Sequence, residues 1–213
     1  MIKLDILSDP ICPWCYIGRA HLDRALEAHP NHPFEIEWHP FQLNPDMPLA
    51  GMDRRAYLEG KFGGRAEAVQ AYAPVAGAAQ AAGLTLNLEG ITRTPNTTDA
   101  HRVIHWAGLE GRQSAVVAAL FRAYFRDGRD IGDKSTLAAI AGEAGMDAGM
   151  VARLLDTDAD AEDIKARDAH ARQRGVSGVP CFIIGNEYAV SGAQLPQVWA
   201  EVIADLAARA PKA

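Results

Sequence analysis

The sequence predicts an α/β fold in which a large all-helical segment interrupts a single sheet. Three observations carry this prediction. The first forty residues follow a strand, helix, strand pattern, residues 54–172 are mainly helical, and the last forty residues return to two strands and one helix. Because the two terminal pieces need each other to complete a sheet, they are expected to pair.

The N-terminal piece is a βαβ unit. Residues 3–7 alternate and are rich in Leu and Ile, which is typical of a short strand, until the turn residues that end in Pro10 break the pattern. A helix is predicted from residue 13 to about residue 29, where a proline follows. Alternation returns over residues 34–41 and predicts the second strand.

Helical periodicity dominates the middle of the chain, after a loop at residues 42–52. The end of the chain is predicted to form strands at 181–184 and 188–190, joined by a turn at Gly185-Asn186, and an amphipathic helix at 195–208. Glycine-containing breaks separate several of the central helices, which are predicted at 54–62, 65–82, 97–109, 112–127, 135–144, 148–155 and 159–173.

These elements divide the chain into two predicted domains. One is discontinuous and comprises residues 1–45 and 174–213; the other is a helical insertion domain at residues 46–173. A chain of 213 residues with 48% hydrophobic residues can build such a core without staples. Only the last residues, 210–213, are predicted to be disordered.

Charge and composition exclude several classes of protein. The formal net charge is −6 and no Lys/Arg cluster is present, so nucleic acid is not an expected partner. No stretch approaches the roughly 20 apolar residues of a membrane span, so no membrane contact is expected. The N-terminus lacks the pattern of a signal peptide, which predicts a cytoplasmic protein. The sequence is compatible with a monomer or a homodimer.

Two of the three cysteines are spaced for redox chemistry, in the run Cys12-Pro13-Trp14-Cys15. The run lies at a predicted helix start, where unpaired backbone N–H groups favour a thiolate, the species that attacks a disulfide. Cys15, one turn inside, is expected to be sheltered and to act as the resolving thiol. Pro13 suits the first helical turn, and Trp14 is expected to be partly exposed, either contacting a thiol partner or shielding the disulfide.

A half zinc site is the competing interpretation of this pair. It would need two further ligands, usually a second close pair. Only Cys181 and scattered histidines remain, and the i, i+4 spacing of His101 and His105 alone does not make such a pair. The spacing therefore favours a redox-active centre over a metal site.

A glycine-flanked Val179-Pro180 precedes the first C-terminal strand. A cis peptide bond at this point would leave the Val179 N–H and C=O free to pair with an extended peptide or with glutathione. An ordinary edge-strand proline is the other interpretation. The residues alone leave both open.

Several segments, spread in order over nearly the whole chain, resemble those of one family. The sequence is similar to the DsbA-like thioredoxin superfamily, and within it to the FrnE-type branch. The resemblance is carried by Ser8-Asp9-Pro10-Ile11-Cys12-Pro13-Trp14-Cys15-Tyr16-Ile17-Gly18, Pro40-Phe41-Gln42-Leu43-Asn44-Pro45, Asn96-Thr97-Thr98-Asp99-Ala100-His101-Arg102, Leu120-Phe121-Arg122-Ala123-Tyr124-Phe125, Gly178-Val179-Pro180 and Val190-Ser191-Gly192-Ala193-Gln194.

The resemblance implies a thioredoxin-like fold with a large all-helical insertion. It makes Cys12 the nucleophile, Cys15 the resolving thiol and Pro180 a cis-proline that faces them. No cofactor is implied, although glutathione is a candidate thiol substrate. Related 2-hydroxychromene-2-carboxylate isomerases and kappa-class glutathione transferases carry serine in place of Cys12 and tend to have Asp-Arg after the glycine that Gly192 matches.

Two further departures and two weaker candidates concern residues around the cysteine pair. The buried acid that such proteins often carry six residues before the nucleophile is replaced by Ile6, while Asp9 is expected in the loop. Cys181 follows the cis-proline position, either as a small buried apolar residue or as a third redox thiol. The resemblance places His101 beside the active-site groove, and Gln42 is a candidate for glutathione contacts.

The function predicted from these features is that of a protein-disulfide oxidoreductase, with protein or low-molecular-weight thiols and disulfides as partners. Two alternatives stay open: a glutathione-dependent isomerase or transferase, and a non-catalytic module that binds a partner through the thioredoxin-like groove. Cys12 itself and the Ala193-Gln194 pair favour disulfide exchange.

Overall fold

The computed structural model describes residues 1–209; residues 210–213, for which disorder is predicted, lie outside that range. None of its helices combines the length and apolar character that a membrane span requires. Its elements are, in chain order, β1 (Ile2–Ser8), α1 (Pro13–Ala28), β2 (Phe34–Pro40), β3 (Met52–Asp53), α2 (Arg54–Phe62), α3 (Arg65–Ala81), β4 (Arg93–Thr94), α4 (Thr98–Leu109), α5 (Gln113–Phe125), α6 (Lys134–Glu143), α7 (Ala148–Leu155), α8 (Ala161–Gln173), β5 (Cys181–Ile184), β6 (Tyr188–Ser191) and α9 (Pro196–Arg209).

The two ends of the chain complete one four-stranded sheet, as predicted, in the order β2-β1-β5-β6. Strand β1 pairs in parallel with β2 and antiparallel with β5, and β5 pairs antiparallel with β6. The turn between β5 and β6 has positive φ at Gly185 and Asn186, a conformation that these two residue types adopt more easily than others. The sequence prediction of an α/β sheet is therefore confirmed.

One face of this sheet holds the run from Cys12 to Cys15. Ile6 of β1 and Phe182 of β5 point to the same side, where Trp199 of α9 packs edge-on against Phe182 with 4.7 Å between ring centroids. Helix α1 lies on this side too, and Cys15 and Tyr16 belong to the same core cluster. The first turn of α1 is thereby fixed against the sheet.

Seven helices, α2 to α8, separate β2 from β5 within the described residues, so the predicted helical insertion is confirmed. Their ends differ from the predicted ones by at most two residues. The two-residue strands β3 and β4 were not predicted, because two residues cannot display an alternation.

The helical insertion and the sheet share one hydrophobic core. Tyr16 of α1 stacks on Phe121 and Phe125 of α5, with centroid distances of 5.2 and 5.7 Å. Helices α4, α5 and α8 also pack against the edge strand β2. The division into domains at residues 46 and 173 stays a prediction.

Candidate active site

Cys12 and Cys15 lie at the start of α1, where the sequence places them. Cys12 is the N-cap residue and Pro13 occupies the first helical position. Both thiols are free, and the two residues are only 3% and 1% exposed. In this first turn the N–H groups of Cys15 and Tyr16 donate hydrogen bonds to the Cys12 carbonyl, at 3.1 and 3.2 Å.

The environment of Cys15 holds it in the protonated form. Burial is the main cause that raises the pKa of Cys15 well above its ordinary value, and the adjacent Cys12 thiol raises it further. Hydrogen bonds from the Ser8 hydroxyl and the Asp9 main chain act in the opposite direction and are the smaller effect. Cys15 therefore fits a thiol that reacts second, after an attack at Cys12.

The Val179–Pro180 peptide bond is cis, so the cis alternative is confirmed. The Cys12 thiol donates a weak hydrogen bond of 3.6 Å to the Val179 carbonyl, which places this bond beside the reactive sulfur. Gly18 of α1 permits the close approach, because a Cβ at this position would lie 3.1 Å from Pro180 Cγ. Within residues 1–209 the Val179 N–H donates no hydrogen bond.

A pocket of about 290 Å³ opens beside Cys12. One wall is formed by Cys12, Pro13, Trp14 and Val179, all of them predicted site residues. Trp14 is 37% exposed, as expected from its place between the cysteines. The opposite wall comes from the helical insertion and includes Arg54, Tyr57, Lys61, Tyr72, Thr94 and Tyr124.

The structure places two further predicted site residues away from this pocket. The Gln42 side chain is buried and donates to the Thr98 hydroxyl at 3.1 Å, so it braces the start of α4. His101 is 3% exposed and approaches Asp9, with 3.9 Å between Nε2 and Oδ1. Burial lowers the pKa of His101 to about 4, so the ring is neutral at pH 7. Neither residue lines the wall beside Cys12.

Sequence reasoning missed the most unusual carboxyl group near the site. Asp9 lies in the loop between β1 and α1, as expected, but it is completely buried. Its carboxyl accepts hydrogen bonds from the Leu43 N–H at 2.7 Å and the Ile11 N–H at 3.4 Å. Burial nevertheless raises its pKa from 3.8 to about 7. The buried acid absent at Ile6 thus has a counterpart three residues later.

Asp9 makes the stability of the fold depend on pH. In the unfolded chain the carboxyl loses its proton near pH 4, but in the folded protein only near pH 7, so the free energy of unfolding falls as pH rises between these values. At roughly 1.4 kcal/mol per pKa unit, the decrease attributable to Asp9 reaches up to about 4 kcal/mol. We expect Asp9→Asn to remove this decrease.

Urea unfolding of the parent protein and Asp9→Asn at several values from pH 4 to pH 8 measures the effect. The exposed Asp46→Asn on the following loop is the matched control and is expected to keep the parent's pH dependence. Equal pH slopes for the parent and Asp9→Asn would contradict the assignment.

Cys181 lies on the other face of the sheet from Phe182 and α1. It pairs in register with Leu7 and packs in a small cluster with Leu7, Phe41 and Ala171. Burial raises the pKa of its thiol, against a smaller effect of the Ser191 hydroxyl. These surroundings suit a small apolar residue. A redox role for Cys181 stays a hypothesis.

A metal interpretation gains no support at the cysteine pair. Within residues 1–209, the ligand-type side chains that come close enough to share one ion are Asp5, Glu37 and His39 on the sheet. They form an ion-pair network with Lys3, whose Nζ lies 2.7 Å from Glu37 and 3.3 Å from Asp5. Neither Cys12 nor Cys15 takes part in it.

Comparison with known proteins agrees with this geometry. The family model of the DSBA-like thioredoxin domain matches residues 3–204. The chain belongs to the DsbA-like thioredoxin family. The crystal structure of a probable DsbA oxidoreductase from Streptomyces coelicolor is similar to it, with 31% identity, a TM-score of 0.86 and coverage of 100% of this chain and 93% of the other.

Two more distant structures show the breadth of the DsbA-like fold. A 2-hydroxychromene-2-carboxylate isomerase is 18% identical with a TM-score of 0.73, over 96% of each chain. The cytosolic disulfide reductase DsbM from Pseudomonas aeruginosa, solved with GSH, is 20% identical with a TM-score of 0.68, over 97% of this chain and 99% of that one. Both likenesses are of fold.

Proposed function

We propose that this protein is a thiol–disulfide oxidoreductase that exchanges a Cys12–Cys15 disulfide or dithiol with thiol and disulfide substrates. The observation that carries the proposal is the thiol pair at the start of α1, which faces the cis Val179–Pro180 bond at the edge of an open pocket. In the reducing direction, the Cys12 thiolate attacks a substrate disulfide and releases one thiol. Cys15 then displaces the second thiol and closes the Cys12–Cys15 disulfide.

The protein supplies two electrons in this reaction, and the protons of its two thiols end on the two products. The raised pKa of Cys15 favours this sequence of steps, because burial keeps the Cys15 thiol protonated. The Val179 main chain is placed to pair with an extended substrate beside the reacting sulfur. The net direction of the reaction and the cytoplasmic location are also parts of the proposal. Their support is the fold shared with DsbM, which is described as a cytosolic disulfide reductase.

A glutathione-dependent isomerase or transferase is the second candidate, and the fold shared with 2-hydroxychromene-2-carboxylate isomerase favours it. Two features of the sequence argue against it: Cys12 stands where those enzymes carry serine, and Ala193-Gln194 follows Gly192 in place of Asp-Arg. Glutathione remains a candidate substrate rather than a cofactor. A partner-binding module without catalysis would leave the paired thiols unexplained.

A redox titration tests the proposal. The protein is equilibrated at a series of thiol/disulfide ratios, labelled with a thiol reagent and weighed by mass spectrometry. We expect Cys12 and Cys15 to lose two labels together at one potential, since a disulfide is a two-electron couple. Cys181→Ser is the matched control and is expected to leave this transition unchanged. Independent oxidation of the two cysteines, or none, would refute the proposal.

A further inference from the structure

Arg54 is a buried cation in the wall of the pocket that holds Cys12. It is 6% exposed, and within residues 1–209 no carboxylate lies at ion-pair distance from its guanidinium. Its Nη1 and Nη2 donate to the hydroxyls of Tyr124 at 3.0 Å and Tyr72 at 3.3 Å. Burial raises the pKa of Tyr124, so this hydroxyl stays neutral and offers no counter-charge. Because a buried charge is costly unless it is paired, Arg54 lacks a partner that a bound anion would provide.

The remainder of the pocket wall suits an anion as well. Lys61 is a second cation, and no Asp or Glu is among the lining residues. Thr94 is only 1% exposed, and its buried hydroxyl has no hydrogen-bond partner within the described part of the chain. An arginine fork can hold both oxygens of a carboxylate while a hydroxyl donates to one of them. Since the net charge is −6, attraction of an anion has to arise locally.

The dimensions favour a small ligand. Cys12, Trp14, Val179 and Arg54 all line one pocket with a volume of about 290 Å³. This is close to the lower end of the roughly 300–1,000 Å³ of small-molecule sites. One small molecule can therefore reach both the thiol and the guanidinium.

We propose that Arg54 anchors the carboxylate of the substrate, and that the disulfides exchanged at Cys12 are small molecules that carry a carboxylate group. The inference rests on the proposed exchange at Cys12 and names the substrate class of that site. With the carboxylate on Arg54, Cys12 attacks the nearer sulfur and one carboxylate-bearing thiol leaves. Cys15 displaces the second, so that the substrate gains the two electrons that the protein loses.

The test compares two disulfides of similar size in a single turnover with the pre-reduced protein. One is the dianionic 3,3′-dithiodipropionate and the other is the neutral bis(2-hydroxyethyl) disulfide. The rate constant for thiol release is measured for the parent protein, for Arg54→Gln and for Arg55→Gln. Arg55 is the matched control, because its side chain is 72% exposed, pairs with Glu59 and does not line this pocket. Each variant's rate constant is divided by that of the parent protein on the same disulfide, which removes the difference in intrinsic reactivity between the two disulfides.

We expect Arg54→Gln to slow the reaction of the dianion about tenfold or more, which corresponds to the loss of one good charged contact. The neutral disulfide should change less than twofold, and Arg55→Gln should affect neither probe beyond that range. Equal losses on both disulfides, or no loss on either, would overturn the carboxylate anchor. Should Arg54→Gln fail to fold, Arg54→Lys keeps the charge without the fork. A selective loss on the dianion would then support the anchor, and an equal loss would reject it.

The neutral disulfide separates this inference from the proposed function. If the parent protein reduces the neutral probe but shows no selective dependence on Arg54, only the anchor fails. If the parent protein reduces neither probe, the proposed exchange at Cys12 is itself refuted.

Discussion

Cys12→Ser is expected to lower the rate of disulfide reduction by roughly a thousandfold or more, because serine cannot supply the thiolate that attacks the substrate. Cys15→Ser is expected to behave differently. It still attacks through Cys12, but no second thiol displaces the product, so a mixed disulfide accumulates on Cys12. Cys12→Ser should trap little, since the remaining Cys15 is 1% exposed and its pKa is raised by burial.

Reduction of the neutral bis(2-hydroxyethyl) disulfide and intact-mass measurement of the trapped species read out the two effects. Cys181→Ser serves as the control, because Cys181 lies on the opposite face of the sheet from α1. It is expected to retain the parent rate and to trap no substrate. Unchanged reduction of this disulfide by both Cys12→Ser and Cys15→Ser would sink the redox assignment.

Arg102→Ala is expected to destabilise the protein by about 3–5 kcal/mol, the range for breaking a buried ion pair. Arg102 is 2% exposed, and its guanidinium ties α4 to the segment between α7 and α8. It donates to the carbonyls of Ala159 at 2.6 Å, Thr157 at 2.7 Å and Leu154 at 2.8 Å, and it pairs with Asp99 at 2.7 Å. Alanine leaves these acceptors without the donor, and buried acceptors without partners are costly.

Urea unfolding followed by circular dichroism measures this loss. The matched control is Arg126→Ala, since the Arg126 side chain is 53% exposed and pairs only with the neighbouring Asp127. We expect it to leave the free energy of unfolding nearly unchanged, because solvent screens this exposed pair. Arg102→Lys should recover little of the lost stability, because an ammonium cannot reproduce the planar fork. A loss below about 1 kcal/mol for Arg102→Ala would show that the contacts of Arg102 contribute little to the stability of the protein.

Local patterns predicted the parts of the site that depend on neighbouring residues. The cysteine spacing at a helix start located Cys12 and Cys15, and the glycine-flanked Val179-Pro180 indicated a cis bond as one of two alternatives. The resemblance to the DsbA-like family then chose between the alternatives. These features are encoded within a few residues, because a helix N-terminus and an X–Pro bond are local conformations.

Long-range packing decided the residues that local patterns misplaced. Gln42 and His101 carry polar groups that suit a binding site, yet the fold buries both, with Gln42 bonded to Thr98 and His101 beside Asp9. Asp9 was expected in a loop, and only the packing of Leu43 and α4 around it makes that loop residue a buried acid. Arg54, Leu58 and Lys61 share one face of α2 at i, i+4 and i+7, which was a usable signal for one common surface.

The sequence by itself therefore determined the Cys12–Cys15 motif at a helix start, the order of strands and helices, and the need for the two chain ends to form one sheet. Only the tertiary structure decided what surrounds the motif: a cis-proline on one side, a buried Asp9 behind it, and Arg54 of the insertion across the pocket. The physical reason is that periodicity records which face of an element is buried, whereas the charge and solvation of a side chain depend on partners that lie 34 to 167 residues away along the chain.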